Sequence, residues 1–220
     1  SKHPFGTYFI HSLLEKGLVH HSLYDINISV DAYFDSIFLK SKSDSMTYFF
    51  VGESLNLYDN EVDSLLRFVE KGHSMFVAAE FLPRCLLNKL FRNVSAYDYF
   101  GYTSDSSVFL TFKDTRFTGD YLLVNQVKEK SQTQRWYSIN TGLEYQFEGR
   151  TIGHSSSRPC YVQFKYGKGK VLIHTIPQVF TNDYLSTTDG REYAEIALSY
   201  FSNSTILFDN YTQYAYDDNS

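Results

Sequence analysis

The sequence predicts an α/β protein built on a mainly parallel sheet, with an antiparallel β insertion. Three features carry that expectation. The run "MTYFFVG", 46–52, is continuously apolar and closed by Gly, as in a strand covered on both faces. A helix, a second apolar strand and a second helix follow it, which is the βαβ pattern of parallel pairing with right-handed crossovers. From about 94 to 166 the character changes. Short runs, "SVFLTF", "YLLV", "RWYSI" and "CYVQFKYG", are separated by turn residues as in a β meander.

Each element has its own justification. "GTYFIHSLLEKG" puts Phe9, Ile10, Leu13 and Leu14 on one helical face, and Gly17 supplies a C-terminal stop. A strand is expected at Ile26 to Val30, followed by a mixed stretch and a Ser/Lys-rich loop ending at Ser45. "YDNEVDSLLRFVEKG" is the clearest helix. Val62, Leu65, Leu66 and Val69 share a face, Asp59, Glu61 and Asp63 favour the dipole, and Gly72 ends it. Strand 74–79 and a helix from Arg84 to Phe91 follow. "YGKGKVLIHTIP" reads as a hairpin with its turn at Gly167-Lys168-Gly169 and a strand from Val171 to Thr175. "GREYAEIALSYF" places Tyr193, Ile196, Ala197, Tyr200 and Phe201 on one face, and "TILFD" is a last short strand. One domain over 1–212 is expected, with a frayed tail at 213–220.

Composition narrows the function classes. The 220 residues suit one α/β domain with an insertion, and 43% hydrophobic with 20% charged residues is globular. The net charge is −5 and Lys and Arg are dispersed, which argues against nucleic acid as a partner. The 19 Tyr and 19 Phe furnish an aromatic core and, on the sharper reading, a Tyr-rich interface. No run approaches the roughly 18 apolar residues of a membrane helix. Without an initial Met or a signal pattern, the chain is expected to be an excised or processed fragment. Cys85 and Cys160 are too few for a Cys-rich metal site and too far apart in sequence to be assigned as bridged or free. Two buried thiols are the expectation.

Ligands of open α/β sheets sit beyond the carboxyl ends of the strands. Three such ends are legible: Gly52-Glu53-Ser54, Glu80-Phe81 and Pro177-Gln178. The candidate ligand-binding residues are therefore Glu53, Ser54, Glu80 and Gln178, with His174 near the end of its strand. His174 inside "VLIHTIP" also fits a satisfied core histidine. A nucleophile elbow needs Ser, Cys or Asp at a tight turn, and "AAEFLP" offers none. Cys85 falls inside the following helix. "GHSSS", 153–157, sets a His beside serines, although triad members are rarely sequence neighbours. His20 and His21 lack the spacing that would put both rings on one helical face around a metal. "GKGK" leads into a strand and is not a phosphate loop.

"PFGTYFIHSLLEKG", "YFFVGESLNLYDNEVDSLLRFVEKGHSMFVAAEFLP" and "GKGKVLIHTIPQVFTNDYL" with "REYAEIALSYF" together resemble a bacterial family of unknown function. That resemblance implies the class I glutamine amidotransferase-like fold, a flavodoxin-like three-layer sandwich. It further implies an extracytoplasmic, periplasmic domain of a membrane-anchored protein. Family genes often lie near a chaperone-like AAA ATPase, which points to assembly or envelope roles and admits a membrane-associated protein partner. Amidotransferases of this fold use an elbow Cys and a late His-x-Glu pair. Here the elbow reads Ala79-Glu80-Phe81, and His174-Thr175-Ile176 lacks the Glu. The expectation is a binding domain with no catalytic residue, cofactor or metal. The alternative is a hydrolase using Glu80 or His174 as general base.

Overall fold

A computed structural model of the chain describes residues 6–17, 22–38, 45–91, 99–124, 135–140, 149–200 and 205–214. Among these residues, nine strands form one sheet. Its first half comprises β1 (Leu23–Ile26), β11 (Thr205–Asp209), β2 (Met46–Val51), β3 (Ser74–Ala78) and β10 (Gly169–His174), all paired in parallel. Its second half continues antiparallel through β9 (Arg158–Tyr166), β8 (Gly149–Ser155), β5 (Ser107–Phe112) and β6 (Tyr121–Val124). A separate antiparallel pair joins β4 (Phe100–Thr103) to β7 (Trp136–Ile139).

This corrects the flavodoxin-like, glutamine amidotransferase-like expectation. Among the described residues, four of the eight pairings within this sheet are parallel and four antiparallel, so the sheet is mixed and not mainly parallel. The meander read as an insertion supplies four of the nine strands of the central sheet, because β9 pairs with β10 directly through the turn at Gly167 and Lys168. Local patterning showed the strands but not which neighbour each would choose.

The helices are α1 (Tyr8–Gly17), α2 (Val30–Phe38), α3 (Asp59–Glu70), α4 (Arg84–Leu90), α5 (Asn182–Leu185), α6 (Thr188–Leu198) and α7 (Tyr211–Tyr214). Side chains alternate across β2, as the period of two requires. Phe49 and Val51 face the cluster that holds Ile10 and Leu14 of α1 and Tyr193 and Ala197 of α6. Tyr48 and Phe50 face the opposite cluster, where Phe34 of α2 stacks on Phe68 of α3 at 4.5 Å. Helices thus cover both faces of the parallel half. On β5 and β6 the alternation leaves Val108 and Leu123 buried while Phe109 and Leu122 are exposed, as in a sheet solvated on one face.

The strand expected at Ile26 to Val30 is corrected as well. Strand β1 ends at Ile26 and α2 begins at Val30, because Val30 and Phe34 bury one helical stripe. Glu61 fixes that start. One of its carboxylate oxygens accepts from Val30 N at 3.2 Å and the other from Tyr58 N at 2.9 Å, so one buried acid caps two helices. Among the described residues, no helix is long and apolar enough to cross a membrane. Residues 215–220 of the tail expected to fray lie outside the described residues.

Candidate functional site

The carboxyl ends of β2, β3 and β10 are laced together by backbone. Gly52 N donates to Ala78 O at 3.0 Å, and Ala79 N to His174 O at 3.0 Å. Beyond the strands, Glu80 N and Phe81 N both donate to Glu53 O at 3.0 and 3.1 Å, and Leu55 N donates to Phe81 O. A parallel bridge joins Ser54 to Phe81. These backbone bonds join the two loops into one continuous rim.

Side chains complete the rim. Gln178, on a 3-10 turn spanning Pro177–Phe180, donates its Nε2 to Glu80 Oε1. That contact brings together two residues 98 positions apart in sequence. Glu53 is exposed and contributes its carbonyl to the lacing, while Ser54 turns its hydroxyl to Asn56 Oδ1 at 3.0 Å. Four of the five expected binding residues thus meet at one edge.

His174 does not. It is fully buried, its Nδ1 accepts from Ile176 N at 3.1 Å, and Nε2 lies 2.8 Å from the Tyr193 hydroxyl. Burial lowers its pKa to about 3, so the ring is neutral. With both nitrogens engaged beneath the rim, it cannot serve as a base for a substrate above it.

Neither thiol stands on the rim. Both cysteines are free; Cys85 is half-buried in α4 with Sγ 3.7 Å from Leu57 O. Cys160 is fully buried in β9, where desolvation pushes its ionisation upward. "GHSSS" forms the end of β8 and its turn, with Ser156 and Ser157 at φ 44° and 73°; this is a reversal of the chain and not a triad. His20 and His21 lie outside the described residues. Among the described residues, no three His, Cys, Asp or Glu side chains cluster to hold a metal.

Sequence reasoning missed the aromatic strip beside the rim. Phe81, 46% exposed, packs its ring 5.3 Å from Tyr137, which lies 6.0 Å from Tyr102, itself 51% exposed. The Arg135 guanidinium covers Tyr102 at 4.8 Å. Tyr102 and Tyr137 are opposite one another in the β4–β7 pair, and Thr175 Oγ1 ties Tyr137 O to the end of β10 at 2.6 Å. Only the pairing of two distant short strands creates the strip, so no local signal could announce it.

Gln178 also borders a cleft of about 430 Å3 between β6–β7 and the α5–α6 turn, where Leu122 and Trp136 oppose Asp183, Tyr184 and Asp189. A groove of about 520 Å3 lies between α2 and α3, rimmed by Asp31, Asp35, Asp63 and Glu70.

Fold and rim define a mixed-sheet α/β domain whose polar carboxyl edge carries a Glu–Gln pair beside exposed aromatics. The chain belongs to DUF4350, a domain of unknown function, whose family model matches residues 1–198. No curated protein matches the sequence. Among solved structures, the mmIFT52 N-terminal domain is 10% identical, with 81% of this chain and 96% of that chain covered and a TM-score of 0.48. A cytoplasmic protein from Salmonella typhimurium LT2 is 10% identical over 88% of this chain and 86% of its own, with a TM-score of 0.43. A β-galactosidase from Bacillus circulans sp. alkalophilus is 8% identical over 68% of this chain, with a TM-score of 0.39. The chain spans 23% of that enzyme's length. At these scores no functional statement follows from any of them.

Proposed function

We propose that this chain is a non-catalytic binding domain that presents its carboxyl edge to a protein partner. The observation that supports it is the joining of Glu80 and Gln178 into one polar pair directly beside the Phe81–Tyr137–Tyr102 strip. Exposed aromatics next to fixed polar groups are the composition of protein interfaces, where a few rigid rings carry most of the energy. Glu53 adds a carboxylate at the same edge, so the partner is expected to bring donors or a cation. From the family resemblance we further infer an extracytoplasmic domain of a membrane-anchored protein, with a membrane-associated partner.

The test is site-specific photocrosslinking in the full-length protein. A photoreactive residue at Phe81 should capture a discrete membrane-fraction protein, and Glu80→Ala in the same chain should abolish the adduct. The same probe at Tyr24, which is 55% exposed on β1 at the far end of the sheet, is the control. Equal capture at both positions would refute the reading.

A further inference from the structure

Strand β1 closes one side of the sheet and β6 the other, and the two edges are built differently. β1 carries a charge, Asp25, with His11 Nε2 at 3.0 Å and Asn210 Nδ2 at 2.9 Å from its carboxylate. β6 reads Tyr-Leu-Leu-Val, with no charge and no Pro, and pairs with β5 in unbroken register. Edge strands are ordinarily blunted by charges, prolines or bulges, because a bare edge offers a row of N–H and C=O groups to any passing strand. Among the described residues, no strand pairs with the outer side of β6.

The cleft between β6–β7 and the α5–α6 turn follows that bare edge. Leu122, Leu123 and Val124 all line it. Consecutive strand residues point their side chains to opposite faces, so a cleft that touches three in succession runs along the backbone and not over one face. The turn supplies the far wall through Asp183, Thr187 and Asp189. The four residues of β6 give an edge about 13 Å long, enough to pair a short extended segment.

The two sides of this edge differ in chemistry. On the outer face Leu122 and Val124 are exposed, beside exposed Phe109, which stands opposite Leu122 on β5. On the inner face Tyr121 and Leu123 turn toward the core under α6, and the Tyr121 hydroxyl donates to Glu192 Oε1 at 3.0 Å. Asp189 acts on this side as well. Burial, then the bond to Glu192, then the charges of Glu192 and Asp189 push the Tyr121 ionisation up to about 12. Among the described lining residues of the cleft, the charged ones are Asp183 and Asp189, with no Lys or Arg.

A strand laid along β6 alternates as β6 does. One set of its side chains falls beside Leu122, Val124 and Phe109, and the other set falls on the side of the two aspartates. We propose that the β6 edge is a strand-addition site for an extended segment of a partner protein in which apolar and cationic residues alternate. Main-chain hydrogen bonds to β6 supply the affinity and the alternating side chains the selectivity, as in other β-augmentation complexes. An acidic segment is refused by Asp183 and Asp189.

The proposal does not rest on partner binding at the carboxyl edge, and its test is separate from the crosslinking at Phe81. The probes are two capped, fluorescently labelled octapeptides, one of alternating Val and Lys and one of alternating Val and Glu, titrated into the purified protein. The Val-Lys peptide should saturate with a Kd below about 1 mM, and the Val-Glu peptide should bind at least about tenfold more weakly. At saturation the Val-Lys peptide should slow amide exchange across 121–124 by about fivefold or more, since outward N–H groups of β6 enter a new ladder. The double variant Asp183→Lys with Asp189→Lys should reverse the preference between the two peptides. A gain for the Val-Glu peptide in that variant cannot come from misfolding. No saturation by the Val-Lys peptide, equal affinity for both peptides, or binding without slowed exchange at 121–124 would each overturn the proposal. Slowed exchange there that grows with protein concentration in the absence of peptide would also overturn it, by assigning the edge to a second copy of this chain.

Discussion

His174 and Tyr193 meet in the core at 2.8 Å, between imidazole Nε2 and phenol oxygen, across the interface of β10 and α6. Since Ile176 N donates to Nδ1, the ring proton sits on Nε2 and points at Tyr193. The pair is satisfied only while the histidine is neutral.

Acid sensitivity follows directly. The folded-state pKa of about 3 lies below the ordinary value of 6.5, so the unfolded chain binds the proton that the folded chain refuses. Stability contributed by the neutral ring is complete above pH 6.5 and is lost progressively as the pH falls toward 3. The full loss is on the order of 5 kcal/mol, at about 1.4 kcal/mol per pH unit. Urea midpoints measured from pH 7 to pH 4 should fall steeply for the wild type. His174→Gln should be less stable at pH 7 and show a flatter slope. Parallel slopes would mean that another group governs the acid response.

The helix α3 offers a graded packing test. Leu65 and Leu66 are both buried, at 0% and 3% exposure, and both belong to the cluster under α2 and α3. Leu66 also borders the groove between those helices, where water and neighbouring side chains can move into vacated space. Truncation to Ala should therefore cost about 4–5 kcal/mol at Leu65 and about 2–3 kcal/mol at Leu66, within the usual range for such changes. Denaturation midpoints for the two variants check the order; equal losses would show that the groove does not relax.

How far the sequence could be read differs between the two halves of the sheet. In the parallel half, the buried runs of β2 and β3 and the stripe of α3 are local patterns, and they placed Glu53, Ser54 and Glu80 at strand ends. Gln178 was legible as a strand end too, but its hydrogen bond to Glu80 was not, because it depends on how the 3-10 turn after β10 closes over β3. In the other half, "SVFLTF" and "YLLV" announced strands but not their partners. Register between distant antiparallel strands is set by turns and by the face that α6 covers, through contacts such as Phe112 on Tyr193 at 4.8 Å. The Tyr102–Tyr137 pair was hidden for the same reason. For His174 the residue types could not decide between core and edge. Its neighbours in space, Tyr193 and Phe180, come from elements beyond its own strand.

The two thiols should be kinetically distinct. Cys160 is fully buried and its ionisation is pushed up by desolvation, so almost no thiolate exists and none is reachable. Cys85 is half-buried and its Sγ sits near Leu57 O. Iodoacetamide under native conditions should label Cys85 slowly and leave Cys160 unmodified until denaturant is added. Mass spectrometry of tryptic peptides distinguishes them. Rapid native labelling of Cys160 would show that β9 opens far more readily than a central strand should.

Gly169 stands where the parallel and antiparallel halves of the sheet join. It begins β10 immediately after the turn from β9, and that turn docks on the junction of α3 and β3. Lys168 N donates to Glu70 O at 3.1 Å and Lys170 N to His73 O at 3.4 Å. Between these bonds the backbone comes so close that a Cβ on Gly169 would stand 2.0 Å from His73 O and 2.2 Å from Val69 O. Both are main-chain atoms, and neither can move without breaking the end of α3 or its bond to Gly72, which stands at φ 114° to terminate that helix. Gly101 is a useful contrast. Its added Cβ would lie 3.2 Å from Asn140 Oδ1, a side-chain end that can shift by a few tenths of an ångström. Gly169→Ala should therefore cost about 4 kcal/mol or more, or prevent folding, whereas Gly101→Ala should cost less than about 1 kcal/mol. Circular dichroism melts of the two variants decide it: similar melting temperatures would mean that the β9–β10 turn can lift away from α3 without disturbing the sheet.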